Sequence, residues 1–228
     1  MKLLFKDLRS FLVIFFCILT ADIIFKNFDC LFKFRYISKF LVTISLFIHF
    51  YYNSFSFSKK ERTLVFLALA FSFVADYFLL NDTTILFTAL GMSMFIIAKI
   101  FYSLFYYTKA KFNVDFLLPF LAVTFIYYLF VSFFLYEGLG VYFVPVIIYV
   151  LASVGMIFMS YSRYRTVNDK SYILVLMGAF LFLASETIFA VDKFYTPLSH
   201  IKITLMVSYG LSQLFTIRGI IEQNASKN

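Results

Sequence analysis

Tryptophan is absent from the 228 residues, glycine occurs seven times, proline three times and cysteine twice. Charge is scarce as well: 14% of the chain is Asp, Glu, Lys or Arg, while 63% is apolar or aromatic. An ordinary soluble domain carries roughly a quarter charged residues, so a chain this poor in charge cannot wet the surface of such a domain. Cys17 lies inside the first apolar run and Cys30 just past it. Their spacing matches no metal site, and neither a disulfide nor zinc is expected. With so little glycine and proline, no span is broken at an acidic residue, as a carrier built on discontinuous helices would require.

What the chain has in abundance is long apolar runs. They fall at Phe11 to Phe25, Tyr36 to Tyr52, Leu64 to Leu80, Ile85 to Tyr107, Phe116 to Phe134, Val141 to Ser160, Tyr172 to Ala190 and Ile203 to Ile217. A spanning helix takes about 20 such residues, which leaves length for seven or eight spans and no soluble domain. Backbone groups in lipid must pair within their own segment, so each run is expected to be a helix. The fold class is therefore all-α, a polytopic membrane protein of about eight transmembrane helices, with residues 1–228 as one transmembrane domain. Lys2, Lys6 and Arg9 ahead of Phe11 to Thr20 imitate a signal peptide. It lacks a convincing small-residue cleavage site, and the segment reads as a retained first helix.

The net charge of +8 does not point to nucleic acid, because the basic residues sit in short loops between runs rather than on one patch. They act as topology signals. With the N-terminus inside, the cytoplasmic segments hold thirteen Lys and Arg: Lys2, Lys6, Arg9, Lys59, Lys60, Arg62, Lys109, Lys111, Arg163, Arg165, Lys170, Arg218 and Lys227. The outer segments hold five, namely Lys26, Lys33, Arg35, Lys193 and Lys202, and the loops around Asp82 and Glu137 hold none. This bias places both termini in the cytoplasm. Tyr51, Tyr52, Tyr106, Tyr107, Tyr161 and Tyr164 gather at the inner ends, taking the interfacial place of the missing tryptophan. The expected setting is an inner (plasma) membrane of bacterial type, with membrane lipids as neighbours. His49 and His200 fall on opposite sides, so no serine or cysteine nucleophile has a histidine in register.

Five ionisable residues remain inside the runs: Asp22, Lys39, Asp76, Lys99 and Glu186. Each costs about 2.5 to 3.5 kcal/mol on insertion scales, which marks an intramembrane charge as a candidate functional group. Asp22 and Lys39 are expected to hold helices together or to reach for the headgroups. Asp76 and Glu186 are expected to share a polar chamber near the outer leaflet, because each lies about five residues from the outer end of its run and has small neighbours, Ser72 and Ala75 or Gly178 and Ser185. Lys99 reads as deeper, on a stripe with Gly91, Phe95 and Tyr102. Asp76 and Glu186 stand 110 residues apart, and Asp82 and Asp192 follow each by six. That spacing suggests a four-plus-four parallel repeat about an axis along the membrane normal.

The segments around these acids resemble the YhhN-like family of lysoplasmalogenases, membrane hydrolases that cleave the vinyl ether bond of lysoplasmalogens. The likeness rests on FSFVADYFLL around Asp76, on ILFTALGMSMFIIAKIFYSLF with Phe87, Gly91, Phe95 and Tyr102, and on PVIIYVLASVGMIFMSYSR with Tyr149. It continues in MGAFLFLASETIFAVDKF with Gly178, Phe182, Ser185, Glu186 and Lys193, in VSYGLSQLFTIRG with Tyr209 and Gln213, and in the early second-span lysine, Lys39. The chain departs from the family pattern at Ala75, where glycine is usual, at Phe40 for proline, and at Glu186 for aspartate. The resemblance implies a lysophospholipid substrate.

Carboxyl chemistry suits that reaction. Vinyl ethers resist base and break in acid, so one carboxyl would act as general acid while the other, ionised, stabilises an oxocarbenium ion and positions water. Asp76 and Glu186 are the catalytic candidates. Lys39, Lys99, Tyr102, Tyr149, Ser185, Tyr209 and Gln213 are the candidates for binding substrate, and neither a metal nor a cofactor is required. An intramembrane aspartyl protease would need a Gly-x-Gly-Asp setting that this chain lacks. A proton-coupled carrier or lipid-binding protein with a structural carboxyl pair is the other class open to it.

Overall fold

The structure is a computed structural model that describes residues 2–81, 84–112, 114–197 and 201–225. Asp82, His200 and Lys227 lie outside the described residues, as do the side chains of Lys2 and Lys202. The described residues form nine α-helices and no strand: α1 Lys2–Lys6, α2 Leu8–Asn27, α3 Phe32–Asn53, α4 Lys59–Leu80, α5 Ile85–Tyr107, α6 Val114–Leu139, α7 Phe143–Tyr161, α8 Asp169–Phe194 and α9 Ile201–Ala225.

Each of α2 to α9 carries one apolar run, the run from Val141 starting in the turn just ahead of α7, and polar caps outside the runs mark the starts of α2, α4, α5 and α8. The Asp7 carboxylate accepts from the Ser10 amide at 2.9 Å ahead of α2. Ser58 and Glu61 close a reciprocal capping box on α4. Thr84 and Asn168 accept from amides in the first turns of α5 and α8. α6 and α7 are joined by a single 3-10 turn at Gly140–Tyr142, where Gly140 takes φ +47°, a conformation that glycine adopts without strain.

Among the described residues, five stretches are long and apolar enough to cross a membrane: Leu8–Asn27, Lys59–Leu80, Ile85–Tyr107, Phe133–Tyr161 and Asp169–Phe194. The distribution of side chains agrees. Leu118, Ile126 and Phe133 face outward, whereas Arg35, Lys39, Asp76 and Lys99 are buried. A soluble protein of this size sorts its residues the other way. The chain is a helical, polytopic membrane protein.

Seven helices close into a ring of neighbours, α2 on α3, then α4, α5, α7, α8, α9 and back to α2. α6 lies outside the ring and leans on α7 and α8. The tightest pairing is α8 with α9, and small residues allow it. A Cβ on Gly178 would stand 2.8 Å from the Thr216 amide nitrogen, and one on Gly219 would stand 2.8 Å from that of Val175, so the two backbones are in contact. At the end where α2 begins, the His49 ring stacks on Phe11 at 3.7 Å and its Nδ1 meets the Phe5 carbonyl. In the link between α7 and α8, the buried Arg163 donates to Ser171 and Gln223 and binds that link to α9. Removal from water pushes its guanidinium down to about 10.

Gly178→Val should therefore force α8 from α9. Overpacking of this kind costs about 1–3 kcal/mol, and each kcal/mol lowers the unfolding temperature of a chain this long by about 2–4 °C. Thermal unfolding in detergent should show that loss. Gly155→Ala, inside α7 at a position where nothing lies within 4 Å of an added Cβ, should not lower the temperature.

Candidate functional site

Six of the ring's helices deliver polar side chains to its interior, where two carboxyl clusters form. On α4, Asp76 is fully buried. Its Oδ1 lies 3.1 Å from the Lys39 Nζ of α3, and its Oδ2 accepts from the Tyr209 hydroxyl of α9 at 2.8 Å and from Thr43 at 3.2 Å. Lys39 and Thr43 are one helical turn apart, which puts both on the face of α3 that meets α4. The Lys39 ammonium also lies 4.9 Å from the centroid of the Tyr209 ring.

On α8, Glu186 is held in the same manner. Lys99 of α5 forms an ion pair with Oε1, the Tyr149 hydroxyl donates to Oε1 at 2.7 Å, and Ser153 donates to Oε2 at 2.8 Å. Tyr149 and Ser153 are again one turn apart, on α7. Lys99 donates to the Ser153 hydroxyl at 2.7 Å, and its ammonium lies 3.3 Å from the Tyr149 ring centroid. Between the clusters, Phe95, Phe182 and Tyr209 form a triangle of edge-to-face rings 5.5 to 5.9 Å apart.

Both carboxyls border one cavity of about 90 Å³. Lys39, Asp76, Tyr149, Ser153, Glu186 and Tyr209 supply most of its polar wall. Its remaining lining is mainly apolar and comes largely from α5 to α8, with Met92, Val131, Leu135, Val146 and Phe194 at the end of the bundle where α2 finishes. Ser185 is on the wall, with its hydroxyl turned back to the Phe182 carbonyl. Tyr127 and Thr187, which the sequence did not single out, share a hydrogen bond of 2.9 Å beside it and link α6 to α8.

Several expectations change. Lys39 does not reach for a headgroup; it is buried against Asp76. Asp22 joins neither cluster and holds α2 to α3, the structural role expected of it: it accepts from Ser38 at 2.7 Å and faces Arg35 at 4.0 Å. Lys99 is not set apart at its own depth. It meets Glu186, because α8 continues past the predicted end of its run to Phe194 and leaves Glu186 eight residues inside the helix. The two carboxyls are not each other's electrostatic partner either, since each has its own lysine. Tyr102 and Gln213 are absent from the cavity wall. The Tyr102 hydroxyl donates to the Gln213 amide oxygen at 3.2 Å, and the Gln213 amide nitrogen reaches Ser72 at 3.5 Å, so they fasten α9 to α5 and α4 behind the wall.

Thr43 and Ser153 escaped sequence reading because isolated hydroxyl residues in apolar helices most often bond back to their own helix. The usable signal was their place one turn beyond Lys39 and Tyr149.

A ring of membrane helices with two buried carboxyl–lysine–tyrosine clusters on one cavity is the arrangement these residues define. Residues 34–220 match the model of the YhhN family, and the chain belongs to that family. No curated protein and no solved structure matches it.

Removing one partner of a buried ion pair strands a charge and costs about 3–5 kcal/mol, whereas replacing both partners can be neutral. Lys99→Met should therefore lower the unfolding temperature sharply, and Lys99→Met combined with Glu186→Gln should recover most of the loss. Differential scanning fluorimetry of the purified variants compares them.

Proposed function

We propose that the chain is a membrane-embedded hydrolase that cleaves the vinyl ether bond of lysoplasmalogen-type lysophospholipids, releasing a fatty aldehyde and a glycerophospho-head group. The observation that carries this reading is the cavity: two carboxyls with tyrosine hydroxyls on them, at the end of an apolar-walled space inside a membrane protein of the YhhN family. The alkenyl chain lies along Met92, Val131, Leu135 and Val146. The vinyl ether meets Asp76 and Glu186. Lys39, Tyr149, Ser185 and Tyr209 contact the substrate from the wall, while Lys99, Tyr102 and Gln213 act behind it as positioning residues.

The chemistry needs one proton in and one proton out. A carboxyl in its acid form protonates the β-carbon of the vinyl ether, and the electron pair of the double bond leaves an oxocarbenium ion at the α-carbon. The second carboxylate stabilises that cation and takes a proton from the water that adds to it. The hemiacetal then collapses to aldehyde and alcohol. Moving a proton from lysine to carboxylate inside a pair makes the acid form with no change of net charge in the apolar bundle, so each lysine serves as a local proton store.

Eight of the helices, α2 to α9, span the bilayer, with both termini in the cytoplasm of a bacterial inner membrane. The cavity then opens toward the outer leaflet. Reporter fusions should place the loop with Arg163, Arg165 and Lys170 inside and the turn after Glu137 outside; the reverse pattern would refute this orientation.

Asp76→Asn and Glu186→Gln, each purified and shown to be folded, should lose about 10²- to 10⁴-fold in aldehyde release from a lysoplasmalogen, the usual contribution of a general acid or base. Wild-type rates in both would end the proposal. Substrate movement into liposomes without aldehyde would favour the carrier instead.

A further inference from the structure

The two carboxyl clusters are related residue by residue at one constant offset. Lys39 and Tyr149, Thr43 and Ser153, Asp76 and Glu186, and Lys99 and Tyr209 are each 110 positions apart. The carboxyl on α4 takes two donors from α3 and one from α9, and the carboxyl on α8 takes two from α7 and one from α5. Helix packing repeats in the same way, since α3 on α4, α4 on α5 and α9 on α3 correspond to α7 on α8, α8 on α9 and α5 on α7.

We infer that Asp76 and Glu186 are one site present twice, in a chain built as a tandem pair of four-helix units, α2 to α5 and α6 to α9, with lysine and tyrosine exchanged between the copies. Each carboxyl has one lysine, one tyrosine hydroxyl and one aliphatic hydroxyl. In the first copy the lysine comes from the unit's own second helix and the tyrosine from the other unit. In the second copy these origins are reversed. The exchange makes the copies chemically unequal: an ammonium sits on the cavity wall at residue 39, and a phenol sits at the matching residue 149.

The outer helices break the symmetry, and only one copy is left open. α2 seals the first copy by burying Phe11, Phe15 and Leu19 and by setting Leu19 against Gly210, where a Cβ would stand 2.6 Å from its side chain. The position matching Gly210 is Ile100, which is 48% exposed on α5, so α6 does not cover it. The cavity follows the α6 side, where the Glu186 side chain is 10% exposed and that of Asp76 is 0%. A ligand enters beside the second copy.

The test reads folding, so it stands or falls apart from the proposed reaction. Lys39→Tyr leaves Asp76 without its cation, and Tyr209→Lys gives it two; each alone should lower the unfolding temperature by about 10 °C. Lys39→Tyr with Tyr209→Lys rebuilds around Asp76 the arrangement found at Glu186 and should restore most of that loss. Lys99→Tyr with Tyr149→Lys should do the same at Glu186. Doubles no more stable than the worse single, or doubles that fail to fold, would overturn the equivalence. Milder variants test it at the hydroxyls. Thr43→Ser and Ser153→Thr should leave the temperature unchanged, while Thr43→Val and Ser153→Ala should lower it to a similar degree. A loss at only one of the two positions would also overturn the inference.

Discussion

A charge inside an apolar bundle must meet its opposite there, and that requirement organises this molecule. Three ion pairs lie within the helical core, each joining two helices: Asp22 with Arg35, Asp76 with Lys39, Glu186 with Lys99. In water such pairs contribute little, because solvent screens them and each ion is well hydrated alone. In a medium that offers neither water nor counter-ion, an unmatched partner is strongly destabilising. The pairs therefore specify which helices are neighbours more than they add to stability. Lys39 selects α4 for α3, and Lys99 draws α8 toward α5 across the middle of the ring.

Around these pairs the packing is aromatic and close. Phe95, Phe182 and Tyr209 separate the two carboxyl clusters, and the backbones of α8 and α9 touch at Gly178 and Gly219. Glycine is spent where backbones must meet rather than where helices must bend, which leaves the acid-bearing helices α4 and α8 continuous. Outward-facing positions carry large apolar side chains, and the carboxylates of the interior are engaged with polar groups of other helices. An apolar-walled cavity lies in that interior beside α6, the helix that stands outside the ring. Both acids stand on its polar wall, and the rest of its lining is mainly apolar.

Much of this was legible in the sequence. Eight apolar runs located eight helices, because hydrogen bonding of the backbone in lipid leaves a chain no alternative and apolar length is a local property. The same logic singled out Asp76 and Glu186, and Lys39 among the other charges inside apolar runs, since a charge there is conspicuous by itself. Family motifs added Tyr149, Tyr209 and Gln213. The ends of helices were less legible: α8 runs on through Asp192 and Lys193 to Phe194 because helix capping, not apolarity, ends it.

The pairing of those residues was decided in three dimensions. Position along a run estimates depth, but which face of one helix meets which face of another depends on the whole packed ring, and no local pattern encodes it. Thus the sequence by itself determined that charges would be buried and roughly where, through composition and period. Only the tertiary structure decided that each acid would have its own lysine, that Thr43 and Ser153 would complete the two clusters, and that Tyr102 and Gln213 would stand behind the cavity wall. The reason is that an ion pair is a property of two surfaces brought together, and chain order constrains those surfaces only after every other helix has taken its place.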